Sequence, residues 1–243
     1  MTFNIQNKVY RNVLLSCDHG LMIINRFDSN HEGVGHGQWL LDHGNTTTVE
    51  AWHCCNALDG INSPIIFDVG ANIGTFTTWM SKKFPLGKVY AFEPQRPVFQ
   101  QLAGNVAINN LYNVYTYNFG LGAVDEYVKF NEPNYFLNHD FGTFTLKQSG
   151  SVQRTSDTIV VEIKTVDNFM NTYQIPRLDL LKIDVEGMDI DVLKGAHNTI
   201  KKYLPKIFIE HCDNVVSVKD SIISLLDPYG YEFEVIGNNI LAK

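Results

Sequence analysis

Apolar residues along the chain alternate between two kinds of run. Ile65-Ile66-Phe67, Val89-Tyr90-Ala91-Phe92, Val114 to Phe119, Leu180-Leu181-Lys182-Ile183 and Ile207-Phe208-Ile209 are unbroken or period-two runs of strand length. Between them, residues 73–84, Gln95–Asn110, Val166 to Tyr173 and Asp189–Tyr203 carry helical spacing, as with Val98, Phe99, Leu102, Val106 and Ala107 on the second of these. A further helix is expected over Asn214–Leu226, closed by Asp227-Pro228-Tyr229-Gly230. The chain then ends in Tyr231–Ile236 and Asn239–Ala242 around Gly237-Asn238, an antiparallel hairpin. Strand and helix in alternation predict an α/β fold with a doubly wound, mostly parallel sheet.

Two stretches depart from that rhythm. Before the first core strand, Val13-Leu14-Leu15 and Leu21–Ile24 read as short strands around Asp18-His19-Gly20, and Thr48–Leu58 reads as a helix. Between them Asp28 to Gly37, with three glycines and no periodicity, reads as a loop. Residues 1–63 are therefore expected to form a cap beside a core domain of residues 64–243. The second departure is 123–164, where Tyr127–Phe130 and Thr158–Ile163 look like strands flanking the loop Asn138–Leu146.

The chemistry concentrates where the first core strand ends. Asp68-Val69-Gly70-Ala71-Asn72-Ile73-Gly74 turns through two glycines into a helix, which lets backbone approach a nucleotide-like ligand beside helix N-terminal amides. The second strand stops at Glu93-Pro94, placing a carboxylate where a ribose would lie in a βαβ unit. The loop lacks the G-x-G-x-x-G of dinucleotide sites and the Gly-Lys-Ser/Thr of P-loops. An acidic residue before the turn suits a cofactor with a cationic end and no phosphate, and S-adenosylmethionine has that chemistry. Candidate cofactor residues are Asp68, Gly70, Asn72, Gly74, Glu93 and Pro94. Further along, Leu180-Leu181-Lys182-Ile183 leads into Asp184-Val185-Glu186-Gly187, putting two more carboxylates at a strand end beside the same crevice. The plainer alternative has Glu186 capping the next helix and Asp184 paired with a nearby lysine.

These blocks together, Asp68 to Gly74, Ala91-Phe92-Glu93-Pro94, Leu180 to Gly187 and Leu193-Lys194-Gly195-Ala196, resemble the FkbM family of S-adenosylmethionine-dependent methyltransferases over residues 64 to 212. The resemblance implies a Rossmann-like class I methyltransferase with a seven-stranded sheet, and O-methylation of a hydroxyl on a small molecule or sugar. It implies that Asn118 and Gly120 lie near the adenine; in a doubly wound sheet the Leu180–Ile183 strand neighbours the first, which puts Asp184 near the sulfonium. Asp140, Gly142 and Thr143 are candidates for the methyl-transfer pocket, against the alternative of an edge hairpin with a polar turn. For the base that removes the acceptor's proton, His211, Asp184 and Glu186 are candidates, with His211 favoured because imidazole titrates nearest neutrality. A methyltransferase acting on nitrogen, or a non-catalytic protein keeping the fold, are the competing readings. The Asp/Asn-Pro-Pro-Tyr/Phe motif of base N-methyltransferases is absent.

Composition narrows the partners. A net charge of −7 disfavours general binding to nucleic-acid backbones. Without a long apolar segment or a signal-peptide pattern, no membrane association and a cytoplasmic location are expected. His31 and His36, near Asp28 and Glu32, lack helical metal-ligand spacing, so no metal is expected and both are assigned to a lid on the substrate side. Cys17, Cys54, Cys55 and Cys212 show no C-x-x-C spacing and read as reduced thiols. Oligomeric state is not legible in the pattern.

Overall fold

The computed structural model describes residues 10–29, 35–143, 154–211 and 216–243. Its elements are, in order, β1 (Asn12–Cys17), β2 (Gly20–Asn25), α1 (His36–His43), α2 (Thr48–Ala57), β3 (Ile65–Val69), α3 (Thr75–Lys83), β4 (Lys88–Phe92), α4 (Arg96–Ile108), β5 (Val114–Tyr117) and β6 (Gly120–Leu121). There follow β7 (Glu126–Pro133), β8 (Arg154–Lys164), α5 (Val166–Thr172), β9 (Leu180–Ile183), α6 (Asp189–Gly195), α7 (His197–Tyr203), β10 (Lys206–Glu210), α8 (Val216–Leu226), β11 (Phe233–Ile236) and β12 (Asn239–Ala242).

Seven strands form one sheet in the order β11-β12-β10-β9-β3-β4-β5. β10, β9, β3, β4 and β5 run parallel, while β12 lies antiparallel to β10 and β11 antiparallel to β12. This is the doubly wound, mostly parallel architecture with a terminal antiparallel hairpin that the alternation predicts. β3 is buried along its whole length, as a central parallel strand covered on both faces must be. Alternation divides its side chains between two cores. Phe67 and Val69 join Phe92, Leu181, Ile183 and Ile209 under α5 to α8, whereas Ile66 joins Val89, Leu180 and Phe208 against Ala51 and Cys54 of α2 and Phe76 and Met80 of α3. The strand order reverses between β3 and β9, so a crevice opens at their carboxyl ends.

Four local expectations need correction. The loop expected over Asp28 to Gly37 gives way at His36 to a helix, His36–His43, because the Asp28 carboxylate accepts the Gly37 amide at 2.8 Å and secures the first turn. The helix expected over 189–203 is two, because Asp167 on α5 accepts the amides of Asn198 and Thr199 and starts α7 anew. The strand expected to reach Phe119 stops at Tyr117, and β6 pairs instead with β8. Finally, β7 and β8 do not extend the main sheet; with β6 they build a separate three-stranded sheet in the order β6-β8-β7. The first residues of the helix expected from Asn214 lie outside the described residues, as does Cys212.

The β1–β2 hairpin docks on α4 through asparagines. Asn105 and Asn109 accept the Ile23 and Leu21 amides at 2.5 and 3.1 Å and return bonds to the carbonyls of the same two residues. Met22, Ile24 and Leu40 bury against Ile73 and Val98. This sets β2 and α1 beside the crevice, with His36 and Thr47 at its wall.

Candidate active site

At the carboxyl ends of β3, β4 and β9 lies a cavity of about 940 Å³, counting its open mouth. Its floor is the turn after β3. Gly70 has φ +80°, and a Cβ there would stand 1.8 Å from the Asp184 carbonyl oxygen, so only glycine lets the turn lie against the end of β9. Gly74, at φ +90°, begins α3, where a Cβ would meet Leu102 at 2.6 Å.

Glu93 stands at the end of β4, 4% exposed. One carboxylate oxygen accepts the Asn72 amide at 3.1 Å and the other the Gln95 amide at 2.8 Å. Each oxygen keeps lone-pair capacity for a further donor. Burial pushes the carboxyl up to about 7, with the two amides acting against that rise. Asn118 does not line the cavity; its Nδ2 donates to the carbonyls of Glu93 and Pro94 at 2.9 and 3.1 Å and holds the strand end from behind.

The end of β9 is held by charge. Lys182, buried, places Nζ 3.0 Å from Asp184 Oδ2 and 3.5 Å from Asp68 Oδ1, and Thr77 donates to Asp68 Oδ2 at 2.5 Å. Asp68 is fully buried beneath the turn, in a structural ion pair. Burial alone would raise Asp184, but Lys182 offsets this and holds it below the ordinary carboxylate value. Lys182 is in turn kept above the ordinary lysine value despite its burial, by Asp184 and Asp68. The alternative weighed from sequence, Asp184 paired with a lysine, is thus present, yet Asp184 lines the cavity as well. Glu186 does not cap α6. No side chain caps α6; Asp189 instead accepts the Val185 and Gly187 amides of the turn before it, while Glu186, at φ +51°, turns off the strand line and lines the cavity. Burial, then the charges of Asp184, Asp140 and Asp189, push Glu186 up to about 7.

Opposite these groups stand His36, Asp140, Gly142 and Thr143. His36 Nδ1 lies 3.3 Å from Asn72 Nδ2, and Asp140 accepts the Gly142 amide at 2.9 Å. A Cβ on Gly142 would approach Asn72, Asp140 and His36 at 3.0 to 3.2 Å, so the three converge on one point. Asp28 ties this wall together, accepting amides from both Gly37 and Phe141. Gly120 and Pro94 line the cavity, with Phe92, Leu121, Val185 and Met188 as apolar surface. His211 is buried at the end of β10, its amide donating to Asn238, and is not among the lining residues. His31 lies outside the described residues.

Sequence reasoning passed over Lys182 and Glu210. The register carries the missing signal. Ile183 pairs with Ile209, so Glu210 stands beside Asp184, and a lysine two residues before Asp184 shares its face. Burial and the charges of Asp184 and Glu186 push Glu210 up to about 8. Oxygens of Asp184, Glu186 and Glu210 lie within 4.8 Å of one another, the one grouping among the described residues with a spacing that suits a cation. Two of its members are already engaged, with Lys182 and with each other.

The cavity suits S-adenosylmethionine in its donor set. Glu93, Asp140, Asp184 and Glu186 face it, and Lys182, already ion-paired, is the sole Lys or Arg on its wall among the described residues. Such a lining favours a cationic ligand with a ribose and opposes a pyrophosphate.

The sheet order and the cavity at its switch point define a class I methyltransferase fold. An FkbM methyltransferase from Methylobacillus flagellatus has the same fold, with a TM-score of 0.54 and 15% identity over 85% of this chain and 53% of that one. The model of the methyltransferase FkbM domain matches residues 68–237, and the chain belongs to that family. Methyltransferase 1 of Beauveria bassiana is 28% identical over 161 residues, 61% of this chain and 65% of its own length. The hexuronic acid methyltransferase AglP of Haloferax volcanii is 30% identical over 139 residues, 56% of this chain and 52% of its own. The chain therefore spans about half to two thirds of the length of these relatives. No helix among the described residues is long and apolar enough to cross a membrane.

Proposed function

We propose that the protein transfers a methyl group from S-adenosylmethionine to a hydroxyl of a small molecule or sugar. The observation that carries this reading is the acidic cavity at the ends of β3, β4 and β9, lined by Glu93 at the end of β4 and by Asp184 held anionic. When bound, S-adenosylmethionine supplies a methyl group made electrophilic by its sulfonium. The chain's part is to hold and align. Glu93 takes the ribose hydroxyls, with Asn72 completing that side. Phe92, Pro94, Leu121 and Met188 give the adenine an apolar slot near Gly120. Asp184 meets the cationic end, and positioning of this kind supplies roughly 7–11 kcal/mol toward a two-substrate reaction.

The acceptor approaches from the wall of His36, Asp140 and Thr143, to which α1 contributes His36. Glu186 is the base on this reading, since it lines the cavity and its value near 7 matches neutral operation. His211, buried outside the lining, is not required. A sugar hydroxyl is the first acceptor to try, because AglP, a relative, is described as acting on a hexuronic acid.

Calorimetric titration with S-adenosylmethionine, S-adenosylhomocysteine and NAD tests the donor. Micromolar binding of the first two alone supports it, and binding of NAD alone rejects it. With an acceptor found from a panel of sugars and small hydroxyl compounds, Glu186→Gln is expected to lower turnover about 10²- to 10⁴-fold with donor affinity retained. Unchanged turnover rejects Glu186 as the base.

A further inference from the structure

Asp184 and Glu210 follow directly on the paired residues Ile183 and Ile209 of adjacent parallel strands, with carboxyl oxygens within 4.8 Å of each other, which brings the two groups into reach of a shared hydrogen bond. Ionised carboxylates offer only acceptors, so that contact requires a proton on one of the two. Lys182 decides which. Its ammonium donates to Asp184 Oδ2 at 3.0 Å, and a bonded cation stabilises the ionised form of the group it touches. The proton therefore belongs to Glu210.

We propose that Glu210 is a positioning residue that stays neutral at physiological pH and donates its carboxyl proton to Asp184. Thr77, Asp68, Lys182, Asp184 and Glu210 then form one chain of contacts across β3, β9 and β10, fixing a single negative charge at the cavity edge. The functional consequence rests on the donor reading given above, since Asp184 is the group that meets the donor's cationic end. Loss of the Glu210 proton would set two anions side by side, break their bond and free Asp184 to turn. Glu186 and Asp189, from the turn and helix after β9, add to the negative field on Glu210. Lys182 and His36 act on the Asp184 side, Asp140 faces Glu186, and on β12 Asn239 stands opposite Glu210, with His211 the next residue after Glu210. Under that field, and burial first, Glu210 ionises near pH 8.

Carbon-13 NMR of the whole chain, labelled at glutamate side-chain carboxyls and free of ligand, reads the proton directly. One resonance, missing from Glu210→Gln, is expected to be protonated at pH 7 and to titrate near pH 8. In Asp184→Asn, which removes the anionic acceptor, the same resonance should titrate at least about one unit lower. A Glu210 resonance titrating near the ordinary value of about 4.3, or one unmoved by Asp184→Asn, overturns the assignment. Neither result depends on the donor.

The positioning role is read by calorimetry with S-adenosylhomocysteine at pH 7 and pH 9. Wild-type affinity is expected to fall about tenfold as nine-tenths of Glu210 ionises. Glu210→Gln, whose amide still donates to Asp184, should show at most a third of that fall. Equal falls in the two proteins overturn the positioning role. Absence of binding by wild-type protein at both pH values rejects the donor reading and the role built on it, while the carboxyl titration still decides where the proton sits.

Discussion

At the end of β4, Glu93 is gripped by main chain: the amides of Asn72 and Gln95 on its oxygens, and Asn118 on the carbonyls behind it. At the end of β9, two strands away, Asp184 is gripped by side chains, Lys182 on one side and Glu210 on the other. Burial acts on both carboxyls in the same sense, yet Glu93 rises to about 7 and Asp184 falls below its ordinary value. Amide dipoles offset only part of the desolvation, whereas a full ammonium at 3.0 Å more than cancels it. A cavity can thus present one carboxyl poised to accept or release a proton and another that is permanently charged, both at strand ends of one sheet.

Removing the cation should break this contrast with the largest effect. Lys182→Met leaves Asp68 and Asp184 without their partner, Asp68 in full burial, and is expected to destabilise the fold by about 3–5 kcal/mol in chemical denaturation. A loss below about 1 kcal/mol would mean that water compensates these charges. Next in size is the pH dependence contributed by Glu93. Its folded value lies above its unfolded one, so its stabilising contribution is complete below about pH 4.5 and is lost as pH rises through about 7. The difference of about 2.5 units corresponds to about 3 kcal/mol. Ligand-free wild type should therefore lose stability relative to Glu93→Gln between pH 5 and pH 8, and parallel curves would contradict the burial argument.

Donor binding sharpens the comparison further. Glu93→Ala should weaken S-adenosylmethionine by about 1.5–3 kcal/mol, the range for hydrogen bonds to charged groups. Unchanged affinity in calorimetry would remove Glu93 from the ribose site.

The main-chain-held end is the one that sequence showed best. Gly70, Gly74 and Glu93 sit where a strand stops and a helix starts, and those signals are local. The side-chain-held end needs strand register. Lys182 within an apolar run reads as an anomaly until β9 is known to lie between β3 and β10, which brings Asp68 to one side of it and Glu210 near Asp184. His211 stands out in the sequence as the histidine at a strand end, while the register puts its neighbour Glu210 beside Asp184. The helix at His36 was hidden because its capping carboxylate, Asp28, lies nine positions earlier across an intervening segment.

Asn118 carries the smallest expected effect and separates holding a strand end from touching a ligand. The resemblance places it near the adenine, but its Nδ2 is used by the carbonyls of Glu93 and Pro94, and it does not line the cavity. Asn118→Ala should therefore act only by loosening the end of β4. The expected cost is about 1 kcal/mol in donor affinity, roughly fivefold in Kd, from the loss of neutral hydrogen bonds. It should leave the Glu93 titration near pH 7, since neither the burial of that carboxyl nor its two amide donors depend on Asn118. A loss as large as that of Glu93→Ala would give Asn118 a direct contact with the donor. A Glu93 titration returned toward about 4.5 would show instead that the strand end opens to water without it, making the side chain at the rear the element that keeps the main-chain grip dry.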